Sequence, residues 1–236
     1  MTAVAIGPEY QCHSCGREFA AGLIRVPKAW GEGGAAMAEA ASMALSWPEA
    51  AVIDEPTLDA QIARTARELP ARPLVLGGCC CAHVGVVREL ARRHGRLGVV
   101  WIDAHGDLNT PATSPSGNPW GMPLRMLIDA GDVLPVDITL LGARALDPAE
   151  DDFIAGSGIR TELGELPDRV YVALDADVAA PGELDVFMPE PGGLTLDQLE
   201  ALLAGLPRPA GAGLTGLRAS ARNEQALPRL AHALGL

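Results

Sequence analysis

Asp103-Ala104-His105-Gly106-Asp107 places three potential metal ligands at alternate positions within five residues. In an extended segment, residues two apart face the same side. Asp103, His105 and Asp107 can therefore converge, and the small Ala104 and Gly106 let the backbone approach closely. Asp175-Ala176-Asp177 offers a second alternating pair of carboxylates. Carboxylates combined with an imidazole suit manganese, with nickel, iron, cobalt or zinc as alternatives. Two such ions sharing a carboxylate lower the pKa of the water between them and supply hydroxide near neutral pH. The alternative for either cluster alone is a solvated polar strand end. Two clusters in comparable settings weigh against it.

Those ligands need elements to carry them. Each cluster ends an apolar run, at 97–102 and at 170–174, and further runs at 73–77, 138–142 and 213–217 also read as strands. Helical patterns fall at 84–94, 121–130, 195–203 and 223–234, and a Pro/Ser/Gly-rich loop runs over 109–117. Continuous apolar strands alternating with helices predict a parallel sheet covered on both faces. Ligands of such sheets bind beyond the carboxyl ends of the strands, where both acidic clusters fall. Residues 1–50 are rich in Gly and Ala and yield no clear strand. Cys12-His13-Ser14-Cys15 is half of a zinc site without a matching half, since structural zinc takes four ligands.

The chain has 236 residues, 48% of them hydrophobic, enough for one large α/β domain or two small ones. Aromatics make up only 4%, so the core is aliphatic. A formal charge of −12 argues against a phosphate-tracking nucleic-acid surface and against anionic membranes. No apolar run reaches transmembrane length, and the N-terminus lacks a secretory pattern. Five cysteines, three of them adjacent at 79–81, predict a reducing, cytoplasmic setting rather than a disulfide framework.

Gly77-Gly78-Cys79-Cys80, the Asp103 to Asp107 segment, the loop over 107–123 and Asp175-Ala176-Asp177 occur in order and at compatible spacing. Together, over about 74 to 203, the chain resembles the ureohydrolase (arginase/agmatinase) family. The resemblance implies a three-layer α/β arginase-like fold, with a parallel central sheet and helices on both faces. It implies a single domain over 1–236, with 1–50 atypical and shortened. It implies two divalent ions, manganese first, and hydrolysis of a small guanidino substrate by a metal-bridging hydroxide. It also implies a homo-oligomer, a trimer or hexamer. Carried over by position, Asp103 and Asp175 look like bridging ligands, His105 and Asp177 like ligands of one ion, and Asp107 like a ligand of the other. Asp107 is also the candidate proton acceptor. Asn109 and Ser116 match positions that bind an α-carboxylate, and Asp147 and Glu150 match positions near an α-amino group. These four favour an amino-acid substrate over decarboxylated agmatine; ordinary loop capping is their alternative.

Several positions depart from the family pattern. Cys80 stands where the family has a histidine ligand, which is similar to the Nω-hydroxy-L-arginine hydrolase-like branch. N-hydroxyarginine therefore joins arginine as a candidate substrate. A thiolate is a softer, charged ligand, and a buried structural cysteine is the other reading. His83 lies one helical turn further on and suits a ligand role less well. Trp120, in Ser116-Gly117-Asn118-Pro119-Trp120-Gly121, replaces the family's proton-shuttle histidine. An indole donates a hydrogen bond but relays no proton, and general acid–base help is worth ~10²–10⁴ in rate. Trp120 thus occupies a catalytic position without that chemistry: another group protonates the leaving amine, or catalysis is slow, or the reaction differs, with Trp120 then a wall for a planar or apolar substrate, or simple packing. Ala180 replaces a third aspartate. The family's glutamate near the guanidinium should fall within 216–220, where no acid is present and Arg218 is expected to repel a cation. Three readings follow: an amidinohydrolase, a hydrolase of a less cationic guanidino, formimino or amide compound, or a catalytically weak metal-binding or interaction protein.

Overall fold

A computed structural model of the chain describes residues 21–236 and the backbone of 3–6, 9–12 and 18–19. The Cys12-His13-Ser14-Cys15 half-site lies outside the described residues, apart from the Cys12 backbone. Among the described residues, ten strands run in chain order as Ala3–Ile6 (β1), Glu9–Cys12 (β2), Glu18–Phe19 (β3), Gly22–Val26 (β4), Glu49–Val52 (β5), Pro73–Gly77 (β6), Gly98–Ile102 (β7), Ile138–Leu141 (β8), Val170–Asp175 (β9) and Gly211–Thr215 (β10). The helices are Ala35–Ala38 (α1), Leu58–Glu68 (α2), Ala82–His94 (α3), Pro123–Asp129 (α4), Pro148–Ser157 (α5), Leu196–Ala204 (α6) and Ala221–Ala233 (α7). β1, β2 and β3 form a small antiparallel sheet.

The main sheet has seven strands in the order β5-β4-β6-β10-β9-β7-β8, with every pairing parallel. β6, β7, β9 and β10 are buried at every position, and in β6, β7 and β9 that burial shows in the sequence as apolar runs. Alternate residues of each strand go to opposite faces. Leu74, Leu76, Val100, Ile102, Val172 and Leu174 join the core under α6 and α7. Val75, Val99, Trp101, Tyr171 and Ala173 join the core under α3 and α4. The expected architecture of helices on both faces of a parallel sheet is therefore present.

Several elements differ from expectation, among them β10, β4, β5 and α5. β10 starts and ends two residues earlier than 213–217, because its glycines at 211 and 213 carry no apolar side chain to mark it. β4 and the poorly patterned β5 begin inside the Gly/Ala-rich stretch and extend the sheet by two strands. α5 went unread because its first turn, Asp147-Pro148-Ala149-Glu150, has the composition of a polar site loop. It has the residue pattern of a capping box: Glu150 accepts from the Asp147 N–H at 3.0 Å, and the Glu150 N–H donates to the Asp147 carbonyl at 2.9 Å.

Candidate metal centre

The four neighbouring strands β6, β10, β9 and β7 end on one edge, and the six predicted ligands leave from there. Cys80 sits in the turn between β6 and α3, Asp175 ends β9, and Asp103 directly follows β7. Asp103 Oδ1 accepts from the His105 N–H at 2.7 Å, which folds the chain back directly after the strand. Asp103 Oδ2 accepts from Trp101 Nε1 at 3.1 Å. Asp175 Oδ1 likewise accepts from the Asp177 N–H at 3.0 Å. The two strand ends interlock: Asp177 Oδ1 accepts from the Ala104 N–H at 3.1 Å, and Asp177 Oδ2 lies 2.9 Å from His105 Nδ1. Asp107 is the one non-glycine described residue in the left-handed region, at φ 53°, a conformation that Asp tolerates better than most residues.

Two donor groups result. Cys80, Asp103 and Asp107 form one, Asp103, His105 and Asp177 form the other, and Asp103 belongs to both, with each group's donor atoms within 4.8 Å of one another. Cys80 Sγ lies 2.9 Å from Asp175 Oδ2 and 3.8 Å from Asp103 Oδ2. Cys80 and the four aspartates are buried, and His105 is half-buried. Burial and mutual repulsion raise all the carboxyl groups: Asp103 upward, Asp107 well upward, Asp175 to about 7 and Asp177 to about 6. Burial and the neighbouring aspartates also push the Cys80 thiol well up. Burial alone would lower His105, but hydrogen bonds to Asp103 and Asp177 carry it to about 12. No lysine or arginine among the described residues lines this cavity. Asp107 Oδ2 is buried and has no hydrogen-bond partner among the described residues. A dense set of hard donors plus one thiol, with an orphaned carboxylate oxygen among them, fits a pair of divalent cations, whose charge inverts this local pKa pattern.

The donors line one side of a cavity of about 440 Å³. Asn109, Ser116, Asp147 and Glu150 line another part of it. Asn109 Nδ2 donates to Asp147 Oδ2 at 2.8 Å. Glu150 uses both oxygens locally, accepting from the Leu108 N–H at 2.9 Å and the Asp147 N–H at 3.0 Å. Capping and cavity lining thus coexist in Asp147 and Glu150. Met37, Trp120, Phe187 and Met188 form an apolar wall. Trp120 meets Phe187 edge-on at 6.4 Å, and its Nε1 is buried beside Gly31 with no acceptor among the described residues.

One expectation needs correction, that for Arg218, whereas His83 stands outside the donor set as expected. Arg218 does not approach the centre: it is exposed and lines a separate pocket with Asp185 and Ser220. The position that faces the centre is Gly216, at φ 73°, where a Cβ would collide with the Asp175 carboxylate. His83 is fully buried and turned to Tyr171 and Thr215, outside both donor groups. Sequence reasoning missed Arg144, in Gly142-Ala143-Arg144 after β8. Its guanidinium donates to the carbonyls of Asp177 and Pro191, both at 2.9 Å, and of Glu190 at 3.2 Å. It thereby ties down the loop that carries Asp177, support that the Ala180 position lacks. Glu190 was missed too: its Oε1 lies 3.5 Å from His105 Nε2. Only a loop rich in Pro and Gly signalled it.

A model described as the arginase family matches residues 35–217. The arginase of Bacillus caldovelox is 36% identical over 156 residues, which cover 52% of this chain and 52% of that one. The chain thus spans about half the length of that curated relative. Among solved structures, the arginase of Bacillus subtilis superposes with a TM-score of 0.80 at 24% identity, over 90% of this chain and 97% of that one. The formimidoylglutamase of Bacillus subtilis subsp. subtilis str. 168 superposes with a TM-score of 0.73 at 19% identity, over 91% and 85%. Both solved structures bear on the fold.

Proposed function

The chain belongs to the arginase family, and from that premise we propose that it is a metal-dependent amidinohydrolase that cleaves the guanidino group of an arginine-like or N-hydroxyarginine-like amino acid. The observation that carries this reading is the pair of donor groups sharing Asp103 at the ends of adjacent strands. Cys80, Asp103, Asp107 and Asp175 would hold one divalent ion, and Asp103, Asp175, His105 and Asp177 the other, manganese being the first choice. When bound, the two ions supply an activated water near neutral pH and charge stabilisation for the tetrahedral carbon. The chain's own residues do the rest. Asp107, through its unpartnered Oδ2, takes the proton of the attacking water and returns it to the departing nitrogen. Trp120 contributes no proton transfer and shapes the cavity instead. Asn109, Ser116 and Asp147 receive the amino-acid end, with Asn109 oriented by its bond to Asp147. Glu150 holds the Asp107 loop through the Leu108 N–H.

A second reading keeps the metal pair and changes the substrate to a less cationic guanidino, formimino or amide compound. It is favoured by Gly216, which leaves no carboxylate for a guanidinium at that wall, and by the apolar surface of Met37, Trp120, Phe187 and Met188. Mass spectrometry of amine release by manganese-loaded protein separates the two readings, using arginine, N-hydroxyarginine, agmatine, guanidino acids and a formimino amino acid. Turnover of a guanidino amino acid that disappears in Asp103→Asn supports the first, and turnover of only the formimino compound the second. No turnover of any compound with both ions bound overturns both.

A further inference from the structure

His83 is an anomaly in the core. It points from α3 onto the sheet, is fully buried, and sits over the middle of β10. The sheet is cut away to receive it: at Gly213 a Cβ would come within 2.6 Å of the Tyr171 hydroxyl and 2.7 Å of the His83 ring. Trp101, whose indole N–H reaches Asp103, packs edge-on against the same imidazole at 5.2 Å. An aliphatic residue at 83 over a β-branched residue at 213 would satisfy an ordinary helix–sheet contact. This chain buries a polar ring there instead and gives both ring nitrogens a partner. Nδ1 lies 2.8 Å from the Tyr171 hydroxyl and Nε2 lies 3.2 Å from Thr215 Oγ1. Thr215 Oγ1 in turn lies 3.3 Å from Asp175 Oδ2 and 3.2 Å from Cys80 Sγ.

We infer that His83 is a positioning residue for the metal centre, acting through Thr215 on Asp175 and Cys80. In this arrangement Thr215 Oγ1, which has acceptors of its own in Asp175 Oδ2 and the Leu174 carbonyl, receives the imidazole N–H. Tyr171 O–H donates to Nδ1, Nε2–H donates to Thr215 Oγ1, and the Thr215 hydroxyl proton is directed to Asp175 Oδ2. Every donor in the chain then runs toward the carboxylate. The Thr215 hydroxyl has a competing acceptor, the Leu174 carbonyl, also at 3.3 Å. Of the two carbonyl-type acceptors, the ionised Asp175 carboxylate is the stronger, because charge-assisted hydrogen bonds are roughly twice as strong as neutral ones. Burial keeps the imidazole neutral, lowering it to about 3, so it retains a nitrogen to accept from Tyr171. Partners of this kind orient metal-binding carboxylates, and their loss typically weakens metal affinity 10–100-fold.

This inference rests on the metal-centre reading, and its test separates the two. Manganese(II) affinity is measured by calorimetry on the full chain, alongside unfolding in denaturant. His83→Leu and Thr215→Val should each weaken the tighter or the weaker site by about 10–100-fold, and the double variant should be no worse than the singles. His83→Gln, whose amide nitrogen reaches the Nε2 position, should restore most of the affinity; His83→Asn, which reaches only the Nδ1 position, should not. Leu90→Ala, on the same helix and buried in the same core, should destabilise the fold and leave affinity unchanged. Unaltered affinity in His83→Gln, His83→Asn and Thr215→Val alike would overturn the inference, as would losses that track stability in all variants including Leu90→Ala. A wild-type chain that binds no divalent ion would instead overturn the metal-centre reading, and this inference with it.

Discussion

Asp103 belongs to both donor groups, whereas Asp107 and Asp177 belong to one each, and this asymmetry has a measurable consequence. An ion that binds only the folded chain stabilises it by RT ln(1 + [L]/Kd), about 2.7 kcal/mol at a hundredfold excess over Kd. Two sites together then give about 5 kcal/mol. For a chain of this length each kcal/mol moves the melting midpoint by roughly 2–4 °C, so manganese should raise the midpoint of the chelator-treated protein by roughly 10–20 °C. Asp103→Asn removes a ligand from both groups and should abolish nearly all of that rise. Asp107→Asn and Asp177→Asn should each keep about half of it, roughly 5–10 °C. The amide at 103 also sets an NH₂ against one of its two present donors, the His105 N–H or Trp101 Nε1. Each variant is therefore compared with its own metal-free midpoint by calorimetry. An Asp103→Asn chain that keeps half of the shift, matching Asp107→Asn, would refute the shared-ligand arrangement.

Other expectations follow from the same geometry. Cys80→Ser should reduce manganese stoichiometry from two ions to one by native mass spectrometry, and ion binding should release fewer protons than in the parent chain, since a coordinating thiol must be deprotonated. Asp175 at about 7 and Asp177 at about 6 hold protons in the folded state that the unfolded chain gives up near 4. Their contribution is therefore largest below pH 4 and is lost as pH rises through 6 and 7; His105, carried to about 12, loses its share only above its unfolded value. The metal-free midpoint should accordingly fall between pH 5 and 8 and flatten with saturating manganese; a midpoint that rises over that range contradicts this. Arg144→Lys cannot reproduce the fork that spans the Asp177, Glu190 and Pro191 carbonyls. It should weaken the ion held by His105 and Asp177 about tenfold or more by calorimetry, while leaving the helices intact by circular dichroism.

Much of this was legible in the chain because of how it is buried. β6, β7, β8 and β9 stand out because burial on both faces forces near-continuous apolar runs, and α3, α6 and α7 because their apolar stripes repeat at helical spacing. The ligand set was legible for a different reason. Alternation at 103, 105 and 107 and at 175 and 177 makes each group converge locally, so only the adjacency of β7 and β9 was left to the fold. What escaped the sequence is what depends on register and direction. Gly216 and Arg218 are two residues apart, yet the left-handed turn at Gly216 sends the following chain away from the centre. His83 lies three residues after Cys80, but the start of α3 turns it to the sheet face beneath the ligands. Asp147 and Glu150 have the composition both of a binding loop and of a capping box, and composition alone does not separate the two.

The central claim is that water, activated at the strand-end carboxylates, adds to the carbon of an amidine. Turnover of the preferred substrate by manganese-loaded protein in ¹⁸O-enriched water tests it most directly, with both product fragments weighed by mass spectrometry. The account predicts one ¹⁸O atom in the carbonyl fragment, none in the released amine, and loss of both products in Asp103→Asn. Label in the amine fragment, unlabelled products, or full activity in Asp103→Asn would contradict it.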